Sequence, residues 1–86
     1  MADYRIEFTP SARKQFEKLP AQVRRRLAPE IDSLAKEPRP ADVKHLAGPD
    51  DLWRIRVGAY RIVYAIEDDR LVVLVVKLGH RRDVYR

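Results

Sequence analysis

Residues 52–64 read Leu52-Trp53-Arg54-Ile55-Arg56-Val57-Gly58-Ala59-Tyr60-Arg61-Ile62-Val63-Tyr64, two alternating runs on either side of a Gly-Ala pair. A two-residue loop at Gly58-Ala59 makes this a β-hairpin and sets its register: Val57 opposite Tyr60, Arg56 opposite Arg61, Ile55 opposite Ile62, and Trp53 opposite Tyr64. Successive side chains of a strand point to opposite faces. One face is therefore aromatic and aliphatic, and the other carries Arg54, Arg56 and Arg61. Like charges directly opposite each other destabilise a strand pair by up to about 1 kcal/mol, so the Arg56/Arg61 pair predicts a compensating anion, for which phosphate is the natural candidate.

Downstream of the hairpin, a turn at Asp68-Asp69 leads into Leu71 to Leu78, apolar at every position but Lys77, which predicts a central strand covered on both faces. Upstream, Tyr4 to Phe8 alternates as a short first strand. It ends at Thr9-Pro10, a helix start with Thr9 as N-cap and Pro10 at the first helical position. Ala12, Phe16 and Leu19 recur at helical spacing until Leu19-Pro20 breaks the helix; Val23, Leu27, Ile31 and Leu34 mark a second one. Pro29 inside it removes an N–H that would bond the Arg25 carbonyl, which predicts a bend. Pro38-Arg39-Pro40 ends the helical region, and the segment through Lys44, Leu46 and Gly48 reads as a loop with a short extended piece before Pro49-Asp50-Asp51.

The order strand, helix, helix, strand, strand, strand predicts an α+β fold: two layers, β-α-α-β-β-β, with a mostly antiparallel sheet of about four strands and two helices on one face. The core face receives Trp53, Ile55, Val57, Tyr60, Ile62, Tyr64 and Ile66, matched by Phe16, Leu27, Ile31 and Leu34. The arginines are left on the other, partly open face. Trp53, Tyr60 and Tyr64 thus read as packing residues, and Arg24-Arg25-Arg26 as a solvated or anion-contacting face of the second helix.

The chain of 86 residues allows a single domain, 1–86, burying about 60–65% of its unfolded surface. No apolar run approaches the roughly 20 residues of a membrane helix, and the charged segment after Met1 to Arg5 lacks a signal core. Without cysteine there is no thiol nucleophile or thiolate site, and His45 and His80 lack metal-ligand spacing. These features predict a cytoplasmic protein with no metal, no cofactor and no membrane partner. The net charge of +5 is unevenly spread: +2 over residues 1–37, −1 over 38–69 and +4 over 70–86. The excess gathers at His80, Arg81, Arg82, Tyr85 and Arg86, and favours an anionic partner.

Phe8-Thr9-Pro10-Ser11-Ala12, Lys44-x-Leu46-x-Gly48, Trp53-Arg54-Ile55-Arg56-Val57-Gly58-x-Tyr60-Arg61-x-x-Tyr64 and Gly79-His80-Arg81-Arg82-x-x-Tyr85 together resemble the RelE/ParE superfamily of toxins from type II toxin–antitoxin pairs, over essentially the whole chain. The RelE branch implies a ribosome-dependent, metal-independent endoribonuclease that cuts messenger RNA and so inhibits translation. The resemblance implies a cognate antitoxin, a small acidic RelB-like protein, through whose complex alone operator DNA is contacted. The ParE branch implies instead a DNA gyrase inhibitor acting by binding, and a weakened toxin retained as an antitoxin-binding co-repressor is a third reading. By the resemblance, Arg54 and Arg56 stand where RelE-type toxins often carry functional lysines, Arg61 and Arg81 where they carry arginines, and Tyr85 at the C-terminal tyrosine. The chain ends one residue after Tyr85, without the further C-terminal helix of some members.

Metal-free RNA cleavage needs a ribose 2′-hydroxyl to lose its proton and attack phosphorus, donors to stabilise the phosphorane, and an acid for the departing 5′-oxygen. Arg61, with Arg54 and Arg56, would clamp phosphates through planar guanidiniums that cannot act as bases. Lys44 and Arg82 would add RNA contacts, and Arg81 would sit at the leaving side. Tyr85 and His80 compete for the proton transfer: surrounding arginines favour the phenolate of the first, and imidazole titrates near neutrality unaided.

Overall fold

In the computed structural model, which describes residues 3–84, the chain runs β1 (Arg5–Phe8), α1 (Pro10–Glu17), α2 (Ala21–Ser33), β2 (Lys44–His45), β3 (Leu52–Val57), β4 (Tyr60–Glu67), β5 (Val72–His80) and a single helical turn α3 (Arg81–Val84). Each boundary has a local cause. The Thr9 hydroxyl accepts the Ala12 N–H at 3.1 Å and caps α1 beside Pro10. The Arg24 guanidinium donates to the carbonyls of Glu17 and Leu19, closing the end of α1 from the first turns of α2. Pro29 lies within α2, which continues through it to Ser33.

The strands form one five-stranded sheet in the order β1-β5-β4-β3-β2. This is one strand more than the pattern predicts, because the extended piece at Lys44–His45 pairs antiparallel with β3. The hairpin register is as expected, with Val57 on Tyr60, Arg56 on Arg61, Ile55 on Ile62 and Trp53 on Tyr64. Gly58 has φ +61°, the left-handed geometry that a two-residue hairpin loop with glycine first requires. Between β4 and β5 the register shifts at Val63/Tyr64: Val63 faces Lys77 and Tyr64 faces Val75, so Val76 is the extra residue of a bulge. β1 lies parallel to β5 along residues 72–75. It stops at Phe8, so the far half of β5 is a sheet edge.

Ala12, Leu27, Ile31 and Leu34 from the helical layer bury against Ile55, Val57, Ile62, Tyr64, Val73, Val75 and Leu78. Phe16, Trp53, Tyr60 and Ile66 pack around this core half-buried. The Tyr64 ring is 0% exposed, and its hydroxyl donates to the Pro38 carbonyl at 2.7 Å, tying the loop after α2 to the sheet. Burial pushes this phenol well above its usual range, because the ionised form would lie away from water.

Candidate nucleic-acid interface

Strand register gathers the cations. Lys44 pairs with Arg54, and Arg56 with Arg61, so four basic side chains from β2, β3 and β4 stand on the sheet face opposite the core. Gly79 lies opposite Arg61 and contributes no side chain, while Lys77, opposite Val63, falls on the same face. Two directly opposed like-charge pairs are a local instability of up to about 1 kcal/mol each. Such a face is complementary to an anion.

The face is less open than the pattern predicts. Arg54 is 8% and Arg61 9% exposed, whereas Arg56 and Lys44 are exposed. The flanking strands explain the difference. Arg54 lies between β2 and β4, and Arg61 between β3 and β5, but β2 ends before it reaches the level of Arg56. Two guanidiniums held away from water act through a stronger field than exposed ones, and Arg56 and Lys44 meet solvent first.

At the hairpin tip the Arg81 backbone N–H donates to the Ala59 carbonyl at 2.8 Å, which fixes the start of α3 against the turn one residue beyond Val57. Arg81 and Arg82 are exposed there. A further arginine reaches the turn from the helical layer. A Cβ built on Gly58 would lie 2.6 Å from Nη2 of Arg26, so the α2 side chain rests on the bare backbone of the turn. Sequence reasoning missed this position, since nothing in Arg24-Arg25-Arg26 says which guanidinium meets the hairpin. It also missed Lys77, the single charged residue in the apolar run of β5.

His80 is placed differently from the arginines. It pairs with Tyr60, on the helix-covered face, with the rings edge-on at 5.7 Å between centroids. Its Nδ1 faces the Arg82 N–H at 3.3 Å, which in the neutral ring leaves the proton on Nε2. The structure thus brings Lys44, Arg54, Arg56 and Arg61 together, with Arg81 and Arg82 at their end, and turns His80 away. Tyr85 lies outside the described residues.

The opposite end of β3 carries a second polar cluster. His45 stacks on Trp53 at 4.1 Å and meets Asp51 at 2.6 Å, and the Arg39 guanidinium lies 5.0 Å from the Trp53 ring centre. Arg39 also grips Asp68 through both terminal nitrogens at 3.3 and 2.9 Å, and the Tyr4 hydroxyl donates to the same carboxylate at 2.6 Å. Hydrogen bonds from Arg39 and then Tyr4 hold the Asp68 carboxyl below the ordinary range, and the bond to Asp68 raises the Tyr4 phenol. These contacts fasten the loop around residues 37–40 to the β4–β5 turn. Among the described residues no group of histidine and carboxylate side chains is arranged to hold a metal ion.

The molecule is thus a small basic α+β domain whose cations gather on the sheet face away from α1 and α2. Residues 6–85 match the family described as ParE toxin of type II toxin-antitoxin system, parDE. Toxin RelG of Mycobacterium tuberculosis is 33% identical over 91 residues, covering 96% of this chain and 97% of the relative. The mRNA interferase toxin RelE of Escherichia coli is 31% identical over 80 residues, covering 91% and 83%. In the crystal structure of the archaeal RelE–RelB complex from Pyrococcus horikoshii, a chain 32% identical superposes with a TM-score of 0.80, covering 94% of this chain and 98% of that one. The chain belongs to the RelE/ParE family of toxins from type II toxin–antitoxin systems.

Proposed function

We propose that the protein is a RelE-type endoribonuclease that cuts messenger RNA on the ribosome without a metal, and that a RelB-like antitoxin holds it in check in the cytoplasm. The observation that carries this reading is the common face of Lys44, Arg54, Arg56 and Arg61. It is supported by the relative named mRNA interferase and by the RelE–RelB complex.

Exposed Arg56 and Lys44 would engage the RNA backbone first. Arg61, with its neighbour Arg54, would then stabilise charge on the phosphorane, where little water competes and the guanidiniums need little reorganisation. Arg81 and Arg82, held at the hairpin tip by the Arg81–Ala59 bond, would serve the leaving side and the flanking phosphate. No arginine can take the 2′-hydroxyl proton, and we assign that task to Tyr85 rather than His80, a choice supported by the pairing of His80 with Tyr60 on the other face.

The test is translation of a defined message on purified ribosomes, with mapping of new 5′ ends. Cuts in the ribosomal A site are expected, and Arg61→Ala should slow them by about 100- to 1,000-fold, the usual effect of removing one transition-state donor. Absence of cuts by the parent chain, or undiminished cutting by a folded Arg61→Ala variant, refutes the reading. The matched family carries the ParE description, which favours gyrase as the second target. Inhibition of DNA supercoiling in the absence of ribosomes would identify that activity.

A further inference from the structure

Where β1 stops and α1 turns away, the free edge of β5 borders a cavity of about 300 Å³ lined by Gln15, Lys18, Leu19, Tyr60, Lys77, Leu78, Gly79 and His80. The volume lies at the lower end of the roughly 300–1,000 Å³ range of small-molecule sites. Its chemistry is one-sided. Lys18 and Lys77 are its two cationic lining residues, and no carboxylate is among the described ones. The Gln15 carbonyl oxygen is occupied, accepting the Leu78 N–H at 2.9 Å, so the glutamine offers its amide N–H groups. His80, whose Nδ1 faces the Arg82 N–H, offers Nε2. Leu19, Leu78 and the Tyr60 ring form an apolar wall beside these donors.

We propose that this cavity is a phosphate-binding site for a nucleotide, separate from the arginine face, with the phosphate among Lys18, Lys77 and the Gln15 amide and the sugar or base against Tyr60 and Leu19. Cationic donors with no carboxylate beside them select an anion, and flexible ammoniums suit a phosphate as point charges. Lys77 links the two regions: its register places it on the arginine face, and the residue also borders the cavity at the strand edge, where its long flexible stem can turn either way. A nucleotide of a bound RNA strand can therefore reach the cavity around the end of β5, and a free mononucleotide can enter it alone. The phosphate site itself does not depend on RNA cleavage.

The experiment titrates adenosine 5′-monophosphate, and separately adenosine, into the full chain, with the Gln15 side-chain amide and the Leu78 and Gly79 backbone amides as NMR reporters. The monophosphate should shift these signals saturably and adenosine should not. Lys18→Gln with Lys77→Gln should weaken the monophosphate by at least about tenfold, and each single variant should do so in part. A second arm measures binding of a single-stranded RNA oligonucleotide against salt. A logarithmic slope reduced by about 0.7 in the double variant identifies a phosphate of the polynucleotide, and an unchanged slope identifies the free mononucleotide. No saturable shift with the monophosphate, equal binding of adenosine, or full affinity in the folded double variant overturns the proposal. A chain that binds the monophosphate here but cuts no message leaves it standing and refutes only the nuclease reading.

Discussion

Replacing Tyr64 by phenylalanine removes one oxygen from a fully buried ring and should make stability respond differently to alkali. Near pH 8 the loss of the 2.7 Å bond leaves the carbonyl of buried Pro38 without that donor, at a cost of about 1–2 kcal/mol. For a domain of this size that corresponds to roughly 5–15 °C in Tm. The phenol is raised by burial in the folded protein, so the native state keeps its proton where the unfolded state loses it. A raised acid contributes stability that is whole below the unfolded value, about 10 for tyrosine, and is lost as pH climbs above it. The parent chain should then lose about 1.4 kcal/mol between pH 8 and pH 11 from this residue alone, and Tyr64→Phe should lose none. Urea unfolding of both proteins at intervals across that range isolates Tyr64, because every other ionisable group is common to the two. The parent's advantage should shrink to nearly nothing by pH 11. Stability curves that stay parallel throughout would refute the assignment of a protonated, buried donor.

Gly58→Ala should destabilise the protein by about 1–2 kcal/mol, because a side chain at φ +61° is disfavoured in the backbone itself. Combining it with Arg26→Ala, which removes the guanidinium in the way, should recover little of that loss in urea unfolding, and full recovery would place the strain in the contact instead. RNA affinity should fall with salt at a logarithmic slope near −3 if about four phosphates are engaged, measured by fluorescence anisotropy on a labelled single strand. An affinity indifferent to salt would contradict the basic face.

The parts of the fold that depend on neighbouring residues were legible in the chain. Thr9-Pro10 starts α1 where its side-chain chemistry requires, and the hairpin register follows from Gly58-Ala59 and the alternation around them. That register alone places Arg54, Arg56 and Arg61 on one face. What depends on distant partners was not legible. The parallel pairing of β1 with β5 joins opposite ends of the chain, and no local pattern encodes it. The burial of Arg54 and Arg61 follows from which strands flank them. His80 turns from the arginines because the strand alternates through the glycine that faces Arg61, a matter of register between β4 and β5 across a bulge. The cavity beside Lys77 exists because β1 is shorter than its neighbour, and a strand's length relative to its partner is a property of the assembled sheet.

The first strand of this domain docks along the last, with Arg5 beside Val72 and Phe8 beside Val75. Contacts so far apart in the chain raise the contact order and delay folding, and synthesis supplies the N-terminal half first. A growing polypeptide therefore has no partner for β1 and no finished sheet until β5 is free to dock. Fragments from interrupted translation should be inert for the same reason, which confines any danger to the host to completed molecules.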